Sequence, residues 1–168
     1  MGLDMYLDAR KYVSKYDYSE GHDKKKLDPS YAAISAVAPA GYDKYADFGS
    51  ITVSYPVGYW RKANAIHGWF VRELAGGEDN CQEIHVPREK LEELLEKCKA
   101  VASVHAGSVE EAASDNGLYP VQGFFFGSYE IDEWYMQDIK HTIEMLEHVL
   151  EVIPNDSWEW SFVYRASW

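Results

Sequence analysis

The chain has 168 residues, a formal charge of -12 and 15% aromatic residues, with six Trp and thirteen Tyr. That length suits one domain with a proper core. The aromatic content excludes a disordered chain, and the acidic balance excludes general binding to nucleic-acid phosphates, which needs a basic surface. An acidic surface serves solubility first, and it also allows a protein that resembles nucleic acid in charge. The two cysteines, Cys81 and Cys98, stand outside any CxxC, so neither a disulfide framework nor a zinc ribbon is encoded. No window reaches the roughly 18 apolar residues of a membrane span, and the start Met1-Gly2-Leu3-Asp4-Met5 lacks the basic and apolar regions of a signal peptide. The expectation is a cytosolic protein with free thiols and no membrane partner.

In chain order, Leu3, Met5 and Leu7 alternate with Asp4, Tyr6 and Asp8, which predicts a half-buried strand running toward Val13. Residues 14 to 50 read as a long polar loop or insertion in a single domain 1–168. It contains the Lys24-Lys25-Lys26 run, a solvated loop before it is a phosphate site, and a short helix over Tyr31 to Val37. Ile51 to Tyr55 is β-branched and alternating, hence a strand, closed by Pro56 and Gly58. From Gly58 to Arg72 the spacing predicts a helix with one buried stripe and with Arg61 and Lys62 in its first turn, ended by Gly76-Gly77. Cys81 to Val86 is a short strand. Pro87 opens a helix whose stripe is Leu91, Leu94, Leu95, Cys98 and Val101.

Residues 106 to 119 read as a loop, and Gly123-Phe124-Phe125-Phe126-Gly127 as a short buried extended segment. Ser128 would cap a long helix over Tyr129 to Val152 with a buried stripe through Ile131, Trp134/Tyr135, Ile139, Thr142/Ile143, Leu146 and Val149/Leu150. Its outer face is acidic, through Glu130, Asp132, Glu133, Asp138, Glu144, Glu147 and Glu151. Pro154-Asn155-Asp156 ends it. From Trp158 to Trp168 strict alternation gives a final strand with an aromatic face, placed beside the N-terminal strand. The fold class is therefore α+β: a small, mostly antiparallel sheet with its terminal strands adjacent and three main helices packed on one face.

Several chemistries compete. Asp79, Cys81 and His85 are near one another in sequence, but the spacing of structural zinc sites is absent, and Cys81 with His85 gives only a bare thiol–imidazole pair. No GxSxG elbow, GxGxxG or GxxxxGK[ST] occurs, so no cofactor is called for. Asp4 and Asp8 share a strand face, and with His67 they could form an acid–base site. The bland alternative is a solvated sheet face. The densest cluster is Trp60, Arg61, Lys62, Asn64 and His67. Arg61 and Lys62 would hold an anion, Trp60 or Trp69 would stack, and Asn64 and His67 would give directional hydrogen bonds. Ser128 and Tyr129 would face them. Against this stands a plain core Trp60, an Arg61 paired to one of the many acids, and a Ser128 that only caps.

The opening Met-Gly-Leu-Asp-Met-Tyr-Leu, the Tyr59-to-His67 run and the Gly123-to-Ser128 run resemble a family of small phage- and prophage-encoded proteins, with Ser14 to Ser50 matching least. The resemblance implies a phage product acting inside a bacterial cell and carries over no activity and no catalytic residue. Three functions follow in order. The first is a non-enzymatic protein holding a small anionic, nucleotide-like ligand and countering a host defence. The second is an acidic, nucleic-acid-mimicking inhibitor that shows the carboxylate face of helix 129–152 to a basic host protein. The third is a phosphoester hydrolase using His67 with Asp4 or Asp8. The aromatic count would also allow a homodimer.

Overall fold

The structure, a computed structural model, describes residues 2–19, 26–45, 49–123, 125–155 and 157–168. Lys24, Lys25, Phe124 and Asp156 lie outside them, so the lysine run is described only at the exposed Lys26. The chain divides into two compact units, Arg10–Ser54 and Met1–Ala9 with Tyr55–Trp168. Strands β1 (Asp4–Ser14) and β4 (Ser50–Arg61) contribute residues to both.

In Arg10–Ser54 the expected long loop contains structure of its own. β2 (Tyr16–Asp17) pairs antiparallel with β3 (Lys26–Leu27). Helix α1 (Pro29–Ser35) starts two residues earlier than expected, because Asp28 accepts from Ser30 N at 2.8 Å and Tyr31 N at 3.0 Å and Pro29 suits the first helical turn.

The larger unit holds the α+β core. β5 (Ile84–Val86) and β6 (Trp160–Ser167) complete an antiparallel sheet of order β4-β1-β6-β5, with the N- and C-terminal strands adjacent as expected. Leu3 just before β1, Met5 and Leu7 of β1, Trp60 of β4, Ile84 and Val86 of β5 and Phe162 and Tyr164 of β6 belong to one core. Helices α2 (Asn64–Leu74), α3 (Arg88–Ser103) and α5 (Glu133–Val152) fill its other side. α3 buries its Leu91, Leu94, Leu95, Cys98 and Val101 stripe. α5 buries Tyr135, Ile139, Thr142, Leu146 and Val149, leaving Trp134 at 70% exposure. Burial pushes the Cys98 thiol up to about 12, so this cysteine is an inert packing group. Trp158 and Trp168, expected on the buried aromatic face, are exposed at the ends of β6.

Four boundaries differ from expectation, each for a local reason. The strand expected to stop at Tyr55 continues through Pro56 and Gly58 to Arg61, because β4 is an edge of the sheet and an edge tolerates a missing N–H. Gly58 is needed there: a Cβ would lie 2.5 Å from Met145 Sδ and 3.1 Å from Leu7 Cβ, so glycine lets α5 come close to β4. The helix expected from Gly58 accordingly begins at Asn64, and Arg61 and Lys62 precede it. Its eight residues Asn64 to Val71 are all buried, making α2 a central helix rather than one with a single apolar stripe. Residues expected as loop form a 3-10 turn (Ala106–Ser108) and helix α4 (Val109–Asp115), which buries Val109 and Ala113 and stops at Gly117 with φ +67°. Finally, α5 starts at Glu133. Its cap is Asp132, which accepts from Trp134 N at 2.9 Å and Tyr135 N at 3.0 Å, and not Ser128.

Candidate functional site: a cleft at the β4–α2 turn

β4 ends where Lys62 N donates to Leu3 O at 2.8 Å. The chain then reverses within two residues. Lys62 takes φ +62°, a left-handed conformation that side chains other than glycine rarely adopt. Ala63, at φ -74° and ψ 67°, forms an inverse γ-turn closed by Asn64 N to Lys62 O at 2.8 Å. α2 begins at once, with His67 N bonded to Ala63 O at 3.0 Å. This tight reversal leaves Arg61 and Lys62 exposed on its outside. Opposite the turn, Gly127 has φ +92°, and a Cβ there would press to 3.2 Å from Lys62 Cβ, so the backbone passes directly against the lysine stem.

The turn forms one wall of a cleft of about 310 Å³. Arg61, Lys62 and the start of α2 line one side. Gly127, Ser128, Glu130 and the capping Asp132 come from the segment before α5, and Trp134 and Asp138 from α5 itself. Among the described residues, neither Arg61 nor Lys62 forms an ion pair. Nor does any described group donate a hydrogen bond to the half-buried Asp138 carboxylate. Burial lifts that carboxyl to about 6. Nearby His141 pulls it down and Asp132 pushes it up, both less strongly. The cleft thus carries unpaired positive charge on one wall and a desolvated acceptor on the other.

Of the residues singled out from sequence, Arg61, Lys62, Asn64 and Ser128 line this cleft. Asn64 does so as a clamp: its Nδ2 donates to Phe126 O at 3.1 Å and Ser128 O at 2.7 Å, and its Oδ1 accepts from Val121 N at 3.3 Å. It fixes the facing segment and has little left for a ligand. Ser128 Oγ accepts from Glu130 N at 3.2 Å. Tyr129 lines a neighbouring hollow with Glu110, Glu130 and Asp132, and its hydroxyl donates to Gly123 O at 3.0 Å. Trp60 is 2% exposed, a core residue whose Nε1 donates to Thr142 Oγ1 at 2.9 Å. That hydroxyl donates on to Asp138 O at 2.7 Å. Trp69 is also buried, so neither tryptophan of the run offers a free face for stacking.

His67 is turned away from the cleft into a closed cluster. Its Nε2 meets Asp79 Oδ2 at 2.9 Å and its Nδ1 meets the Tyr164 hydroxyl at 2.7 Å, while Trp168 Nε1 donates to Asp79 Oδ1 at 3.3 Å. An ionised carboxylate only accepts, so when Asp79 is ionised and the ring is neutral the proton sits on Nε2 and Tyr164 donates to Nδ1. Burial, and then the charge of Asp79, raise the Tyr164 phenol well above its usual value, which keeps it a donor.

No protein family, curated protein or solved structure matches this chain. The chemistry of the site therefore rests on its own geometry.

The other arrangements weighed from sequence are dispersed. Asp4 accepts from Tyr59 at 2.5 Å, and Asp8 lies 3.9 Å from Arg165, whose guanidinium covers the Tyr6 ring. That sheet face alternates with the inward Leu3, Met5 and Leu7, so it does not border His67 and the acid–base set does not assemble. Asp79 is engaged with His67, while Cys81 and His85 are exposed; the described residues contain no group of three metal-ligating side chains. Along α5 the acidic face is thinner than expected. Asp138 turns into the cleft, Glu147 pairs with Lys99 at 3.0 Å, and exposed Lys140, His141 and His148 interrupt the rest. No described helix is long and apolar enough to cross a membrane. Sequence reasoning missed Trp134 and Asp138 as site residues. Their signal was present: they stand four apart, on one face of a helix and one turn from each other.

Proposed function

We propose that this is a non-enzymatic binding protein that holds a small anionic, nucleotide-like ligand in the cleft at the β4–α2 turn. One observation carries it: in a chain with 28 acidic and 16 basic residues, Arg61 and Lys62 line a concave hollow without a carboxylate partner among the described residues. Elsewhere basic side chains do pair, as Arg88 does with Glu92 and Lys90 with Glu93. The cleft volume of about 310 Å³ lies at the small end of ligand sites, the size of one mononucleotide. Lys62 is also held in a conformation that costs about 1 kcal/mol, and such strain concentrates at functional turns. In this reading Arg61 and Lys62 take the anion, the exposed Trp134 replaces Trp60 as stacking plane, and Asn64 positions the facing segment. The resemblance to phage proteins supplies the setting, in which the ligand is a host nucleotide sequestered as a counter to defence.

Thermal unfolding with inorganic phosphate and a panel of linear and cyclic nucleotides tests it. A ligand at a hundred times its Kd adds about 2.7 kcal/mol, roughly 5–10 °C in Tm for a chain of this size. Arg61→Ala is expected to remove the shift. No shift with any nucleotide at millimolar concentration, or a shift indifferent to Arg61→Ala, would contradict the proposal.

The acidic-surface reading keeps the exposed Glu144 and Glu151 in its favour. Capture of a basic protein that is lost at moderate salt and is insensitive to Arg61→Ala would favour it.

A further inference from the structure

We infer that the nucleotide taken by this cleft is a guanine mononucleotide, with its ring on Trp134 and its N1–H and 2-amino group bonded to Asp138. The inference rests on the anion-binding reading above and names the base that completes it.

Trp134 and Asp138 both line the cleft from one face of α5, one turn apart. An indole left 70% exposed at a cleft mouth is a flat apolar plane suited to stacking on a planar ring. The ring's edge then meets the wall one turn deeper, where Asp138 stands. Its neighbour Asp132 spends one oxygen capping α5, but Asp138 receives no hydrogen bond from any described residue. An ionised carboxylate has only acceptors, so the group it wants carries N–H donors. Guanine alone among the common bases presents two adjacent donors, N1–H and the 2-amino group, at the spacing of a carboxylate's two oxygens. Adenine and cytosine place a ring acceptor beside their amine, and that acceptor would face the carboxylate repulsively. Uracil flanks its single N–H with two carbonyls. Paired donors would also relieve the cost of keeping a half-buried carboxylate ionised. Glu130 and Asp132 on the same rim disfavour a longer phosphate chain there, leaving a single phosphate for Arg61 and Lys62.

The test is calorimetric titration of the full chain with GMP, IMP, AMP and inorganic phosphate. It uses wild type, Asp138→Asn and Arg61→Ala, each checked for folding by thermal unfolding. GMP is expected to bind at least about tenfold more tightly than AMP, within the range a bidentate pair confers, with IMP between them. Asp138→Asn is expected to bring GMP down to AMP, and Arg61→Ala to weaken every phosphate-bearing ligand. A second readout does not depend on the variant. Donors to Asp138 favour its ionised form, so near pH 6 GMP should release more protons than AMP, which carries the same phosphate. Arg61, Lys62, Glu130, Asp132 and His141 share those surroundings and act equally in both titrations. Equal GMP and AMP affinities, with both lost in Arg61→Ala, would overturn the guanine assignment and leave the anion site standing. Absence of binding by phosphate and all nucleotides would overturn both.

Discussion

Two polar clusters meet helix α2, and they use their residues in opposite ways. At His67, an imidazole, a carboxylate and a phenol bond to one another, and Tyr164 stacks on Phe70 with ring centroids 4.0 Å apart. These are the residue types of catalysis, yet each ring nitrogen is already satisfied and the histidine is 1% exposed. In the cleft at the β4–α2 turn, by contrast, Arg61, Lys62 and, on α5, Asp138 lack such partners among the described residues although they border a hollow. Reactive residue types therefore mark function only where their bonding capacity remains unspent. A buried group with every bond made adds stability and specifies the packing, while an unpaired charged group in a concavity retains its capacity for a ligand.

The largest effect that separates the two clusters is expected at His67. His67→Ala removes a buried ring packed on Phe126 and leaves the Tyr164 hydroxyl without its acceptor, which should cost about 3 kcal/mol in urea unfolding. Ligand affinity in the surviving folded fraction should stay near wild type. A stable His67→Ala that no longer binds would merge the clusters and undo the distinction. Thr142→Val comes next. It strands the buried Trp60 Nε1, at about 2 kcal/mol, and frees the α5 turn that carries Asp138, so both stability and GMP affinity should fall.

The sign reverses at Asp138. Its carboxyl sits at about 6 in the fold against 3.8 as a free side chain, so between these values the folded state holds more protons than the unfolded one. This residue's contribution to stability is therefore best at low pH and declines as pH rises from about 4 to 6. Asp138→Asn should gain about 1 kcal/mol at pH 7, a figure reduced for partial exposure, and the gain should vanish below pH 4. Comparing urea midpoints of wild type and variant across pH 4 to 7.5 isolates that group. The smallest effect on stability is expected for Lys62→Gly. Glycine relieves the left-handed strain but loosens the unfolded chain, so stability should stay within about 1 kcal/mol while anion affinity drops.

Much of the fold could be read from alternation and periodicity. β1, the stripes of α3 and α5, and the pairing of terminal strands all followed from apolar spacing. The errors gathered where tertiary context overrides local punctuation. Pro56 and Gly58 mark a strand end in isolation, but on an edge strand against α5 the one is tolerated and the other required. α4 was hidden between Gly107 and Gly117 because its seven residues give too few turns for a clear period. A grouping of Arg61, Lys62 and Ser128 was legible in the sequence, and they line one cleft, but the basic pair was expected in a first helical turn and stands where β4 ends. Which tryptophan faces it was not: Trp60 and Trp134 both fall on apolar stripes, and only the packing of Trp60 against Thr142 separates core from rim.

Backbone amide resonances followed during titration with GMP give the most direct comparison of the clusters. Saturable shifts are expected at Lys62, Asn64, Ser128, Trp134 and Asp138, with Asp79 and Tyr164 still in place. Shifts confined to Asp79, His67 and Tyr164, or to the outer α5 residues Glu144 and Glu151, would show that the ligand site lies elsewhere.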